Sequence, residues 1–128
     1  MNEVVLDASA VMAILDREPG ADKLTTDLLK HAVISAVNLA EIQAVLVNRG
    51  IAPDDAWRDA SSPVRDVVAF TGDQARITGS LVDRTRSLGL SLGDRACIAL
   101  GVSLDAPVYT ADRAWKKLKL GIPIHLLR

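Results

Sequence analysis

The stretch "VVLDASAVM", Val4 to Met12, decides how this chain is read. Val4, Val5 and Leu6 form a short uninterrupted apolar run, as expected of a strand covered on both faces in a parallel sheet. Asp7 follows at once, and the residues from Ala8 onward read as a helix. A strand that runs straight into a helix begins a crossover unit, which points to parallel strands. The same stretch sets a charge where the strand leaves the core, and ligands in open α/β sheets collect at the carboxyl ends of strands. Asp7 is therefore either a helix N-cap, accepting the N–H of Ser9 or Ala10, or one member of a site whose partners lie elsewhere.

The alternation continues along the chain. Ala8–Arg17 and Ala21–Lys30 read as helices separated by Pro19-Gly20. Ala32–Ser35 is a strand, and Val37–Arg49 is a helix stopped by Gly50. Pro53 and two aspartates open a helix over Ala52–Ala60. Asp66–Phe70 is a strand, and Gly72–Ser87 is a helix with Ile77, Leu81 and Val82 inward. Ser91–Leu104 is a helix, Pro107–Tyr109 a strand, Arg113–Leu118 a short helix and Ile122–His125 a last strand. The expected fold is α/β, with helices on both sides of a mainly parallel central sheet. A chain of 128 residues, 49% of them apolar, suits one domain over residues 1–128.

A formal net charge of -1 supplies no overall positive field, so any contact with nucleic acid must come from a local patch or a bound cation. Asn2 and Glu3 replace the basic start of a signal peptide, and no apolar stretch is long enough for a bilayer. Cys97 is the only cysteine and sits among Ala96, Ile98 and Ala99, as a core residue would. No internal disulfide is possible, and a cytoplasmic location is expected.

Three further acids resemble Asp7 in being awkwardly placed. In "SAVNLAEIQAVLV", Val37, Glu41 and Val45 share one helical face, which sets a carboxylate either within a buried apolar stripe or at its solvated edge. Asn38, one turn earlier, is placed to orient it. In "LSLGDRACIAL", Asp94 precedes Cys97 and Ile98 by three and four residues, but it also lies in a first turn, where the helix dipole favours an acid. In "VYTADRAW", Asp112 follows a strand and is equally a cap for the helix from Arg113. Ser9 and Thr110 stand beside the two strand-end acids, where each hydroxyl can hold its neighbouring carboxylate. Four carboxylates in one crevice cannot all ionise without compensation, and a divalent cation supplies it. Oxygen donors without His or Cys select Mg²⁺ or Mn²⁺, the ions that serve phosphoryl transfer to water.

With these residues in place, the sequence resembles a PIN-domain ribonuclease, and within that group a VapC-type toxin of a toxin–antitoxin pair. "VVLDASA", "SAVNLAEI", "LSLGDRACIALG" and "VYTADRAW" occur in the family's order and spacing, over essentially the whole chain. The resemblance implies a PIN-like α/β/α sandwich and a metal-dependent endoribonuclease that hydrolyses RNA phosphodiester bonds. It carries the metal-holding and catalytic roles onto Asp7, Glu41, Asp94 and Asp112, with Ser9 and Thr110 in support. It further implies a homodimer neutralised by a cognate antitoxin. For the RNA, "RAWKKLK" offers Arg113, Lys116, Lys117 and Lys119 beside Asp112, as a phosphate patch or a plain solvated face, and Arg95 can pair with Asp94 or with phosphate. Trp115 is expected in the core, and Trp57 either there or at a dimer or antitoxin surface. His31 and His125 lie outside the motifs and are expected to be structural or exposed.

The rival reading is a non-catalytic Mg²⁺-binding α/β module that regulates or binds other proteins. A receiver domain needs a phosphoacceptor aspartate at the end of its middle strand, and Thr71-Gly72 stand there. A dinucleotide-binding domain lacks its glycine fingerprint after the first strand. A dehalogenase-like phosphatase needs a second aspartate where Ser9 lies.

Overall fold

The computed structural model describes residues 2–128. Its strands are β1 (Val4–Leu6), β2 (Ala32–Ser35), β3 (Asp66–Val68), β4 (Val108–Thr110) and β5 (Ile124–Leu126). The helices are α1 (Ala8–Leu15), α2 (Thr26–Leu29), α3 (Ala36–Asn48), α4 (Pro53–Ser61), α5 (Gly72–Ser80), α6 (Val82–Thr85) and α7 (Leu92–Leu104). The strands form one sheet in the order β3-β2-β1-β4-β5, and all four pairings are parallel. Every residue of β1 and β2 is buried, whereas the edge strands β3 and β5 are only partly covered. The uninterrupted apolar runs are thus the inner strands.

Alternate residues of β1 serve opposite faces of the sheet. Val4 and Leu6 join Ile34, Leu39, Ile42, Leu46 and Ala60 in one core, with α1, α3 and α4 above it. Val5 joins Val33, Val108, Ile98, Leu100 and Trp115 in the other, against α7. These two layers complete an α/β/α sandwich. Cys97 and Trp115 are both fully buried, as expected. Among the described residues, no helix is long and apolar enough to cross a membrane.

The helices are shorter than the sequence pattern suggests, for local reasons. The expected Ala21–Lys30 helix divides into a 3₁₀ turn at Ala21–Lys23 and the single turn of α2. Thr25 causes the division by capping α2, its Oγ1 accepting the Leu28 N–H at 3.2 Å. The expected Gly72–Ser87 helix breaks at Leu81 into α5, α6 and a 3₁₀ turn at Arg86–Leu88. Ser80 and Thr85 turn their hydroxyls back onto the carbonyls of Ile77 and Leu81, at 2.7 Å each. Such bonds compete with helix continuation. The break also turns Val82 outward, contrary to the expected inward face.

A second correction concerns α3. Its buried face carries Asn38, Leu39, Ile42 and Leu46, while Val45 and Glu41 are exposed. Both stripes of this helix are apolar in sequence, and spacing alone does not tell which one meets the sheet. Glu41 therefore lies on an open face rather than inside the core.

Candidate active site

Asp7 ends β1 and precedes α1, in the N-cap position, yet its side chain makes no capping bond. Its Oδ2 instead accepts two hydroxyl protons, from Ser9 Oγ at 2.6 Å and from Thr110 Oγ1 at 3.0 Å. Ser9 Oγ in turn accepts the Ala111 N–H at 3.0 Å, and Thr110 Oγ1 accepts the Asp112 N–H at 3.1 Å. Each hydroxyl thus spends its proton on Asp7 and its lone pair on the backbone leaving β4. The parallel pairing of β1 with β4 brings these segments together. Asp7 is buried, and burial is the main reason its carboxyl is pushed up to about 6. The Ser9 and Thr110 bonds and the Ala8 amide act against that rise, and the charge of Asp94 adds to it.

Glu41 approaches from α3. Asn38, fully buried, donates from Nδ2 to Glu41 Oε1 and to the Gly93 carbonyl, both at 2.9 Å. The glutamate is thereby held against the start of α7, next to Asp94. The Asp94 carboxylate closes a capping box with Ser91: it accepts the Ser91 N–H at 3.0 Å while Ser91 Oγ accepts the Asp94 N–H at 3.1 Å. Cys97 lies beneath the group. Burial pushes its thiol well up, and the charges of Asp7, Asp94 and Glu41 push it the same way. Three acids from β1, α3 and α7 therefore share one electrostatic neighbourhood. Asp112 is joined to it through its backbone and Thr110, while its own Oδ1 caps the 3₁₀ turn Arg113–Lys117 by accepting the Ala114 N–H at 3.0 Å.

The donor chemistry suits a hard divalent cation. The side chains are carboxylates and hydroxyls, the nearby thiol is held protonated, and the buried Asp7 charge has no cationic partner among its interactions. The carboxylates are nevertheless not drawn into a closed shell. Among the described residues, no three His, Cys, Asp or Glu side chains are grouped closely enough to hold a metal ion. Each acid instead has its own hydrogen-bond donors.

The outlying positions divide. Arg95 pairs with neither Asp94 nor another acid; its Nη1 donates to the Thr78 carbonyl at 3.0 Å. Consecutive helical residues point apart, so Asp94 turns to its cap and Arg95 to α5. Arg113, Lys116, Lys117 and Lys119 are exposed on and just beyond the turn that Asp112 caps. Trp57 is 44% exposed on α4, so the core is not its place. His31 is half-buried, and the exposed His125 stacks on Tyr109 with ring centroids 4.7 Å apart. Gly93 was not singled out by the motifs, although it borders both Asn38 and Glu41. A glycine at the start of a helix that requires no turn was the available signal.

The profile of the PIN domain family matches residues 4–120. The chain belongs to the PIN domain family. PIN domains are generally nucleases, so the family places this chain among hydrolases acting on nucleic acid. Solved structures share the fold at low identity. This PIN domain superposes on VapBC from Salmonella typhimurium, bound to DNA, with a TM-score of 0.76 at 18% identity, covering 100% of both chains. For VapBC-5 from Mycobacterium tuberculosis the TM-score is 0.64 at 21% identity, over 98% of this chain and 99% of that one. For a toxin–antitoxin complex from Klebsiella pneumoniae it is 0.75 at 12% identity, over 98% of each. A comparison with curated protein sequences finds no match.

Proposed function

We propose that this PIN domain is a Mg²⁺- or Mn²⁺-dependent endoribonuclease, the VapC-type toxin of a toxin–antitoxin pair, acting as one catalytic unit over the whole chain. The observation that carries the reading is Asp7. It is a buried carboxylate in a capping position that does no capping, held open by two hydroxyls at the carboxyl end of an inner strand. An acid serving only as a cap would have bonded the amides of Ser9 or Ala10, and Asp7 leaves both. Asp7, Glu41, Asp94 and Asp112 would hold the cation, which supplies charge neutralisation of the scissile phosphate and activation of water.

The chain's own groups have separate tasks. Ser9 and Thr110 fix the Asp7 carboxylate and leave it no rotational freedom. Glu41, exposed and oriented by Asn38, is placed to accept a proton from attacking water. Arg113 and Lys116 would hold flanking phosphates, since both are exposed beside Asp112. The toxin–antitoxin neighbours support a cognate antitoxin as partner; a homodimer is the working form that the VapC-type reading implies, and the exposed Trp57 suits a surface for either.

The test is RNA cleavage by purified, antitoxin-free protein with Mg²⁺, Mn²⁺ or EDTA, beside Asp7→Asn and Asp94→Asn. Discrete fragments are expected only with metal and wild-type protein. The Asp94 capping box is the observation that weighs against a catalytic role for Asp94, and the second reading is a non-catalytic metal-binding module. Metal-raised thermal stability without cleavage of any RNA would decide for that reading.

A further inference from the structure

The backbone does not explain Gly93. It is the second residue of α7 and needs no positive φ, which the described glycines at 20, 50, 89 and 121 do adopt. In a helix, glycine is disfavoured by up to about 1 kcal/mol relative to alanine. What sets Gly93 apart is the space its missing side chain leaves. A Cβ there would lie 2.5 Å from Glu41 Oε1 and 2.6 Å from Glu41 Cδ, and the nearest atoms it would meet all belong to that carboxylate. The Glu41 carboxylate occupies the place of a side chain on the neighbouring helix.

Asn38 closes the arrangement. Its two Nδ2 hydrogens go to Glu41 Oε1 and to the Gly93 carbonyl, while its buried Oδ1 has no partner. Turning the amide over would set an oxygen against two acceptors, so its orientation is fixed. One buried amide thus ties α3 to α7 and pins the glutamate in the notch.

We propose that Gly93 is a positioning residue for Glu41: the missing Cβ forms the seat of the carboxylate beside Asp94, and Asn38 locks it there. This rests on the reading of Glu41 as a metal-holding group given above. Gly93→Ala evicts the carboxylate into solvent, toward which Glu41 is already exposed, and the helix keeps its course. The substitution separates function from folding.

The experiment measures Mn²⁺ affinity by titration calorimetry, thermal stability of the metal-free protein, and RNA cleavage. It compares wild type, Gly93→Ala, Glu41→Ala and the double variant. Gly93→Ala frees the same buried Asn38 hydrogen that Glu41→Ala frees, so it is expected to lower the metal-free melting temperature no more than Glu41→Ala does, to weaken Mn²⁺ by about tenfold or more and to slow cleavage, as loss of a ligand-orienting contact does. In the Glu41→Ala background it should change Mn²⁺ affinity no further. Wild-type Mn²⁺ affinity in Glu41→Ala would overturn the assignment of Glu41, and this inference with it. If Glu41→Ala weakens Mn²⁺ but Gly93→Ala does not, the positioning role alone fails. It also fails if Gly93→Ala is as costly without Glu41 as with it, or if it lowers the metal-free melting temperature more than Glu41→Ala does, since either marks Gly93 as a packing residue.

Discussion

Asp7 holds its proton more tightly in the folded chain than its ordinary carboxyl value of 3.8 allows, at about 6. Folding is therefore favoured by this group below about pH 4, and that contribution is lost as pH rises through about 6. The gap corresponds to about 3 kcal/mol. At pH 7.5 the ionised, metal-free protein carries that burden. Asp7→Asn removes it, because an amide can donate to Ser9 and Thr110 once their hydroxyl protons rotate. Urea unfolding of metal-free protein should find Asp7→Asn more stable than wild type at pH 7.5 by up to about 3 kcal/mol, with the gain shrinking toward pH 4. Added Mn²⁺ should reverse the order, raising the wild-type melting temperature and leaving the variant nearly unmoved. Parallel pH profiles for the two proteins would show that Asp7 carries no such penalty. The sequence offered this residue as cap or ligand with equal ease. What turns the carboxylate from the cap is in part Thr110, 103 positions away, which no local pattern connects to it.

Helix α7 presents two glycines with opposite expectations. At Gly93 a methyl group meets the end of one flexible side chain. At Gly101 it meets Val108 Cγ2 at 2.5 Å, Ile122 Cδ1 at 2.9 Å and the Ala106 carbonyl at 3.3 Å, all at the seam between the helix and the β4 side of the sheet. Gly101→Ala gains about 1 kcal/mol of helix propensity but incurs about 1–3 kcal/mol of overpacking. A net loss in urea stability is expected there even in a Glu41→Ala background, where none is expected at Gly93; equal stability for both variants in that background would contradict the packing at Gly101. The same helix shows how far elements could be read in advance. Its apolar content was plain in "LSLGDRACIALG", but not that Ser91 would stand outside the helix as its cap, nor that Asp94 would close a capping box and border Glu41 at once. In α3 the periodicity was real and the wrong stripe drew attention, because Val37 and Val45 are as apolar as Leu39 and Ile42. The helices over 21–30 and 72–87 broke where Thr and Ser side chains took backbone partners, a choice that apolar spacing does not record.

The order β3-β2-β1-β4-β5 reverses direction between β1 and β4, so Asp7 and Thr110 flank the switch point of the sheet. Strand positions were legible in the sequence to within two residues, with β3 ending at Val68 and not Phe70 and β5 starting at Ile124 and not Ile122; their neighbours were not, since crossover lengths fit several orders. That topology also fixes where cations stand relative to the acids. The chain has a net charge of -1, so an RNA strand feels no general attraction. On the proposed ribonuclease reading, binding then depends on a bound cation and a few exposed cationic side chains, and Arg113 and Lys116 follow directly from the β4 end that carries Asp112. With Asp94→Asn as a cleavage-silent background, RNA affinity measured at several salt concentrations should fall along a shallow line. Each phosphate contact contributes about 0.7 to the slope of log affinity against log salt for a single strand. Arg113→Ala and Lys116→Ala should each flatten the line by about that amount. Arg58→Ala should leave it unchanged, since that exposed arginine on α4 is already paired with Asp55 at 2.8 Å. Equal flattening by all three substitutions would mean that the RNA senses diffuse surface charge and that no phosphate path passes the β4 end of the sheet.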